Sequence, residues 1–111
     1  MAAMEAANLF DALPMAQTEE IFTELLARPG IRVERIVSQG QATPPEAPMV
    51  QDWDEWVLLL QGASGLRIGD EAERALKPGD HAWIARGRPH WVTWTALDRP
   101  TVWLALHLDR S

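Results

Sequence analysis

The stretch Glu55–Trp94, EWVLLLQGASGLRIGDEAERALKPGDHAWIARGRPHWVTW, decides how the chain folds. It breaks into short apolar runs at clusters of turn residues. Glu55–Gln61 ends at Gly62-Ala63-Ser64-Gly65, Leu66–Ile68 at Gly69-Asp70, and Glu73–Leu76 at Lys77-Pro78-Gly79-Asp80. His81–Ala85 ends at Arg86-Gly87-Arg88-Pro89. Glycine admits positive φ, and proline fixes φ while removing a backbone donor, so each cluster ends an extended segment and turns the chain. Gly69-Asp70 and Gly79-Asp80 are therefore read as turns, not as ligands. Working outward, His90–Ala96 and Thr101–Leu108 continue the pattern toward one end, and Ile31–Val37 continues it toward the other. In Ile31–Val37 the residues Ile31, Val33 and Val37 share one side. Seven short strands with no helix between them predict an antiparallel sandwich or barrel.

Before Gly30 the character changes. Residues 1–28 are rich in Ala, Met, Leu and Glu. Thr18 suits an N-cap, Glu19 and Glu20 put negative charge on a first helical turn, and Ile21, Phe22, Leu25 and Leu26 recur at one-face helical spacing. Pro29-Gly30 would stop that helix. The expected organisation is a helical segment over 1–30 packed on a β-barrel over 31–108. Residues 38–50, SQGQATPPEAPMV, hold Pro44, Pro45 and Pro48 and are expected to form an irregular loop at the barrel mouth.

Several strands are apolar on both faces, Trp56–Leu60 most plainly. A small barrel bathed in water alternates apolar-in with polar-out. Two-sided hydrophobicity therefore predicts a cover, supplied partly by the N-terminal helix and partly by a second subunit, as a homodimer.

Composition narrows the function classes. A chain of 111 residues makes one compact domain. The absence of cysteine excludes disulfides, thiolate metal sites and thiol nucleophiles. Ten basic against sixteen acidic residues give a net charge of −6, and Lys77 is the sole lysine. Nothing accumulates that could displace phosphate counterions, so no nucleic-acid partner is expected. No apolar run approaches a membrane span, and the first ten residues lack the basic start of a signal peptide, so the expected location is cytoplasmic. No glycine-rich phosphate loop or legible Ser–His–Asp arrangement occurs. All six tryptophans lie between Trp53 and Trp103, where core packing and a ring-lined pocket compete as explanations.

The stretch Glu55–Trp94 resembles the paired motifs of the cupin superfamily, in particular small bacterial single-domain cupins. The second cupin motif runs glycine, five residues, proline, one residue, glycine, two residues, histidine, three residues, asparagine. Gly79, Gly87 and His90 keep their places, while Ala85 stands for the proline and Trp94 for the asparagine. The first motif closes with a glutamate, six residues and a glycine, matched by Glu55 and Gly62. Its two histidines are missing: the corresponding places hold Met49 and Gln51, or Pro48 and Val50. The resemblance implies an antiparallel double-stranded β-helix of jelly-roll type.

It also implies an eroded metal site, in which one divalent ion (Fe, Mn, Zn or Ni) would be weakly bound by His90 and Glu55, with Gln51 as a neutral third donor and His107 as a replacement nitrogen. The preferred alternative is that His90 and Glu55 meet inside the barrel and hydrogen-bond each other without metal. Strand parity groups Val92 and Trp94 with His90, so Val57, Val92, Trp94 and Trp103 are the expected pocket lining. His81 is read as a strand-end residue, and Arg86 and Arg88 as a solvated loop. Three functions follow as expectations. The first is a small-molecule-binding cupin with a degenerate metal site. The second is a metal-dependent enzyme of dioxygenase or isomerase type using His90 and Glu55. The third is an accessory dimer with a filled barrel.

Overall fold

The computed structural model describes residues 6–14 and 18–109. Eight strands make up its regular structure: β1 Ile21–Arg28, β2 Ile31–Ser38, β3 Asp54–Gln61, β4 Ser64–Ile68, β5 Arg74–Leu76, β6 His81–Ile84, β7 His90–Thr95 and β8 Thr101–Leu108. They form a five-stranded sheet in the order β1-β2-β8-β3-β6 and a three-stranded sheet in the order β5-β4-β7. All pairings are antiparallel. The chain is thus the all-β barrel expected from its turn spacing. No helix long and apolar enough to cross a membrane occurs among the described residues.

The N-terminal helix is corrected to a strand. Residues 21–28 form β1, which pairs with β2 from Ile21↔Val37 to Arg28↔Ile31. Pro29-Gly30 does not stop a helix but turns a hairpin, with Gly30 at φ 82°. Ile21, Phe22, Leu25 and Leu26 fit a helical face, yet a partner strand across a tight turn outweighs helical propensity. Of the segment 1–30, residues 1–5 and 15–17 lie outside the described residues. Arg35 on β2 donates from Nη1 to the carbonyl oxygen of Leu9 at 3.0 Å, tying the preceding chain to the five-stranded sheet.

The proline-bearing segment 38–50 is more ordered than a mouth loop. It runs along the free edge of β7. Thr43 N–H donates to the Val92 carbonyl at 2.8 Å, and Met49 and His90 exchange two backbone bonds of 2.9 Å. Thr95 Oγ1 donates to the Gln41 carbonyl at 2.7 Å. Pro44, Pro45 and Pro48 lack donors, so the pairing is intermittent. It nevertheless covers an edge that would otherwise offer unpaired groups.

The two sheets meet over a core of Val57, Leu59, Leu66, Leu76, Ile84, Trp103 and Ala105. Ser38, Ser64 and Thr101 are fully buried, as are Leu59, Val37 and Val102. Two of the hydroxyls are bonded to backbone: Ser64 Oγ donates to the Trp94 carbonyl at 2.9 Å and Thr101 Oγ1 to the Ala63 carbonyl at 3.1 Å. Part of the interior between the sheets remains open.

Candidate functional site

The open part is a cavity of about 300 Å³ between the sheets. The five-stranded sheet supplies Arg32, Glu34 and Ile36 from β2, Glu55 and Val57 from β3, and Trp103 and His107 from β8. The opposite sheet supplies Leu66 from β4 and His90 and Val92 from β7, and the chain entering β3 adds Met49, Gln51 and Trp53. Glu20 and Phe22 lie at the β1 side, where Phe22 is 58% exposed and marks the mouth.

Glu55 and His90 face one another from opposite sheets. Glu55 is 4% exposed and His90 2%. His90 Nε2 stands 3.8 Å from Glu55 Oε1, too far for a hydrogen bond, so the direct bond expected from the sequence is corrected to a facing pair. The ring is committed elsewhere. Its Nδ1 lies 3.2 Å from the Arg88 carbonyl oxygen, which can only accept, so Nδ1 holds a proton and Nε2 faces Glu55. Glu55 Oε1 and Gln51 Oε1 are both buried without a hydrogen-bond partner. Burial pushes the Glu55 carboxyl above the usual carboxylate range, against opposing pulls from His107, His90 and Gln51; Glu34 adds to the rise.

His107 is fully engaged. The Trp53 indole N–H donates to His107 Nδ1 at 2.8 Å, and His107 Nε2 lies 2.6 Å from Glu34 Oε1. An indole nitrogen only donates, so Nδ1 carries the lone pair and Nε2 the proton that goes to Glu34. The ring is thereby fixed in orientation by a contact at each nitrogen. Trp53→Phe should cost about 1–2 kcal/mol by orphaning Nδ1, and nitrogen NMR of His107 should lose its single-tautomer signature. An unchanged spectrum would remove Trp53 from this role.

These geometries test the donor set for a resident transition metal. His90 Nε2, Glu55 and Gln51 converge, but His107 has no free nitrogen. Among the described residues no group of three His, Cys, Asp or Glu side chains could hold a metal ion. One imidazole, one carboxylate and one neutral amide do not fit a site that wants several nitrogen or charged-oxygen ligands.

The structure brings together Glu55, His90, Gln51, His107, Val57, Val92 and Trp103, as the sequence suggested, and leaves Trp94 out. Trp94 is 39% exposed because β7 carries a bulge. Leu66 pairs with Val92 but Gly65 with Trp94, so Thr93 is the extra residue and the two-residue alternation reverses beyond it. Trp94 then lies over Gly65 on the outer face, where a Cβ would collide with its indole. His81 is exposed, with its ring 5.5 Å from that of Trp56. Arg86 pairs with Asp52 at 2.6 Å and Arg88 with Glu71 at 3.3 Å, both at the surface.

Among the cavity residues that escaped the sequence reading are Arg32, Glu34 and Trp53. Ile31, Val33 and Val37 drew attention to the apolar side of β2, whereas the alternate set Arg32, Glu34 and Ile36 lines the cavity. Arg32 stacks over the Trp53 ring at 4.9 Å.

Comparison with known proteins agrees with this architecture. The crystal structure of a "putative mannose-6-phosphate isomerase" from Ralstonia eutropha JMP134 superimposes with a TM-score of 0.91 at 42% identity, covering 96% of this chain and all of that one. A cupin superfamily protein from Desulfitobacterium hafniense DCB-2 matches with a TM-score of 0.76 at 14% identity, over 97% of this chain and 94% of its own. KdgF from Halomonas sp. matches with a TM-score of 0.75 at 17% identity, over 99% of this chain and 96% of its own. No family model and no curated protein matches. The chain has the cupin fold and is a relative of the Ralstonia eutropha protein along that protein's whole length.

Proposed function

We propose that this cupin binds a small molecule in the cavity of its barrel and does so without a resident transition metal. The observation that supports this reading is the pair of orphaned buried acceptors, Glu55 Oε1 and Gln51 Oε1, turned into a cavity with mostly apolar walls. Buried polar atoms are almost always satisfied, so two left open at one cavity mark the place where a ligand completes the bonding. Tryptophan emission during titration with a panel of metabolites tests it, since Trp53 and Trp103 line the space. A saturable response that weakens in His90→Ala supports the reading. No response to any compound, with thermal stability equally unmoved, would sink it.

Metal content is a separate check. Protein purified without a metal-affinity tag should hold less than about 0.1 equivalent of Fe, Mn, Zn or Ni and be indifferent to chelator.

A second reading, an isomerase with His90 and Glu55 as acid and base or as ligands, is favoured by the 42% identity to the Ralstonia eutropha protein. Turnover of mannose 6-phosphate, with and without added metal, decides it.

The chain is further expected to form a homodimer. Trp83 is 52% exposed on β6, and Trp56, Leu58, Leu104 and Leu106 are only half-buried in the neighbouring strands. Light scattering should give twice the chain mass; a monomer at micromolar concentration would refute it.

A further inference from the structure

We propose that the ligand of this cavity is a small organic cation, an alkylammonium whose N–H groups reach Glu55 and Gln51 and whose carbon chain lies against Trp103. The inference rests on the reading of the cavity as a small-molecule site and adds the chemical class.

The charges around the cavity support it. Three carboxylates, Glu20, Glu34 and Glu55, share the lining with one guanidinium, Arg32. Each has a partner, but Glu55 only the Gln51 side chain. Glu20 accepts from the Ser38 hydroxyl, and Glu34 accepts from His107 at 2.6 Å. Arg32 is drawn to the Trp53 ring. Glu55 is left 4% exposed with Oε1 unbonded, and its nearest basic atom, His90 Nε2, stands 3.8 Å away, beyond hydrogen-bond reach. A buried carboxylate wants a positive charge and a donor at once.

Candidate ligands differ in what they bring. A polyol offers donors but no charge. A phosphate ester adds negative charge to a lining that is already acidic, and places acceptors against Glu55 Oε1 and Gln51 Oε1, which are acceptors themselves. An ammonium group supplies both needs, and Trp103 in the cavity wall offers apolar surface to its carbon chain. A cavity of about 300 Å³ limits the cation to a small one.

The test is calorimetry on the full chain with three probes: n-butylammonium chloride, 1-butanol as its uncharged match in shape, and mannose 6-phosphate. Butylammonium should bind at least about tenfold more tightly than either of the others. Glu55→Gln should lose that preference, and Gln51→Leu should weaken butylammonium binding several-fold while its melting curve shows it folded. If 1-butanol or mannose 6-phosphate binds as tightly as butylammonium, the cation assignment falls while the small-molecule site stands. If butylammonium binds Glu55→Gln as well as the parent, the assignment also falls. If none of the three probes binds, it fails, and a further blank across the metabolite panel removes the site itself.

Discussion

Trp103→Ala should lower the free energy of unfolding by about 3–5 kcal/mol, the usual cost of truncating a large buried ring. The indole sits mid-strand in β8, opposite Leu59 of β3 and Ile36 of β2, and is 3% exposed. It belongs to the cluster of Val57, Leu59, Leu66, Leu76, Ile84 and Ala105, and one of its faces closes the cavity. Removing it deletes core contacts and enlarges the ligand space in one step. The denaturant midpoint should fall with little change in slope, since the surface exposed on unfolding stays similar. A loss under about 1 kcal/mol would show that the ring contributes little to packing.

Glu55→Gln should make the protein more stable, increasingly so as pH rises. Burial holds the Glu55 carboxyl above its unfolded range, so the folded state binds that proton more tightly than the unfolded chain does. Its contribution to stability is complete below the unfolded pKa and is lost as pH rises through the folded one. Above that window the wild type buries a charge whose desolvation outweighs the pulls of His107, His90 and Gln51, and the amide should gain about 1–3 kcal/mol over it. Asp80 moves the other way: the Lys77 backbone hydrogen bond, chief among several causes, lowers its pKa, so its contribution is lost as pH falls. Both proteins share Asp80, and it cancels in the difference. Paired thermal melts across the acid-to-alkaline range give the answer; parallel curves would refute it. A stabilising substitution that abolishes ligand binding would mark Glu55 as a position where function costs stability.

From Ile31 onward the strands were legible because Gly, Pro and Asp mark every reversal. The facing of Glu55 and His90 was legible too, through motif spacing that the barrel enforces. Two misreadings have definite causes. Residues 21–28 satisfy a helical face and a strand equally, and only the β2 partner beyond Gly30 decides between them. The inward parity assigned to Trp94 required an unbroken strand, and the bulge at Thr93 cannot be heard in a two-residue alternation. The polar lining of β2 was hidden for a third reason. Hydrophobic patterning assumes that the interior is apolar, whereas Arg32 and Glu34 face a ligand space.

Glu55 and His90 reach the cavity from different sheets, so their separation is set by how the two sheets pack and not by either strand alone. A close-packed interior transmits strain, so a substitution that shears one sheet against the other, however remote, would alter the spacing of the pair.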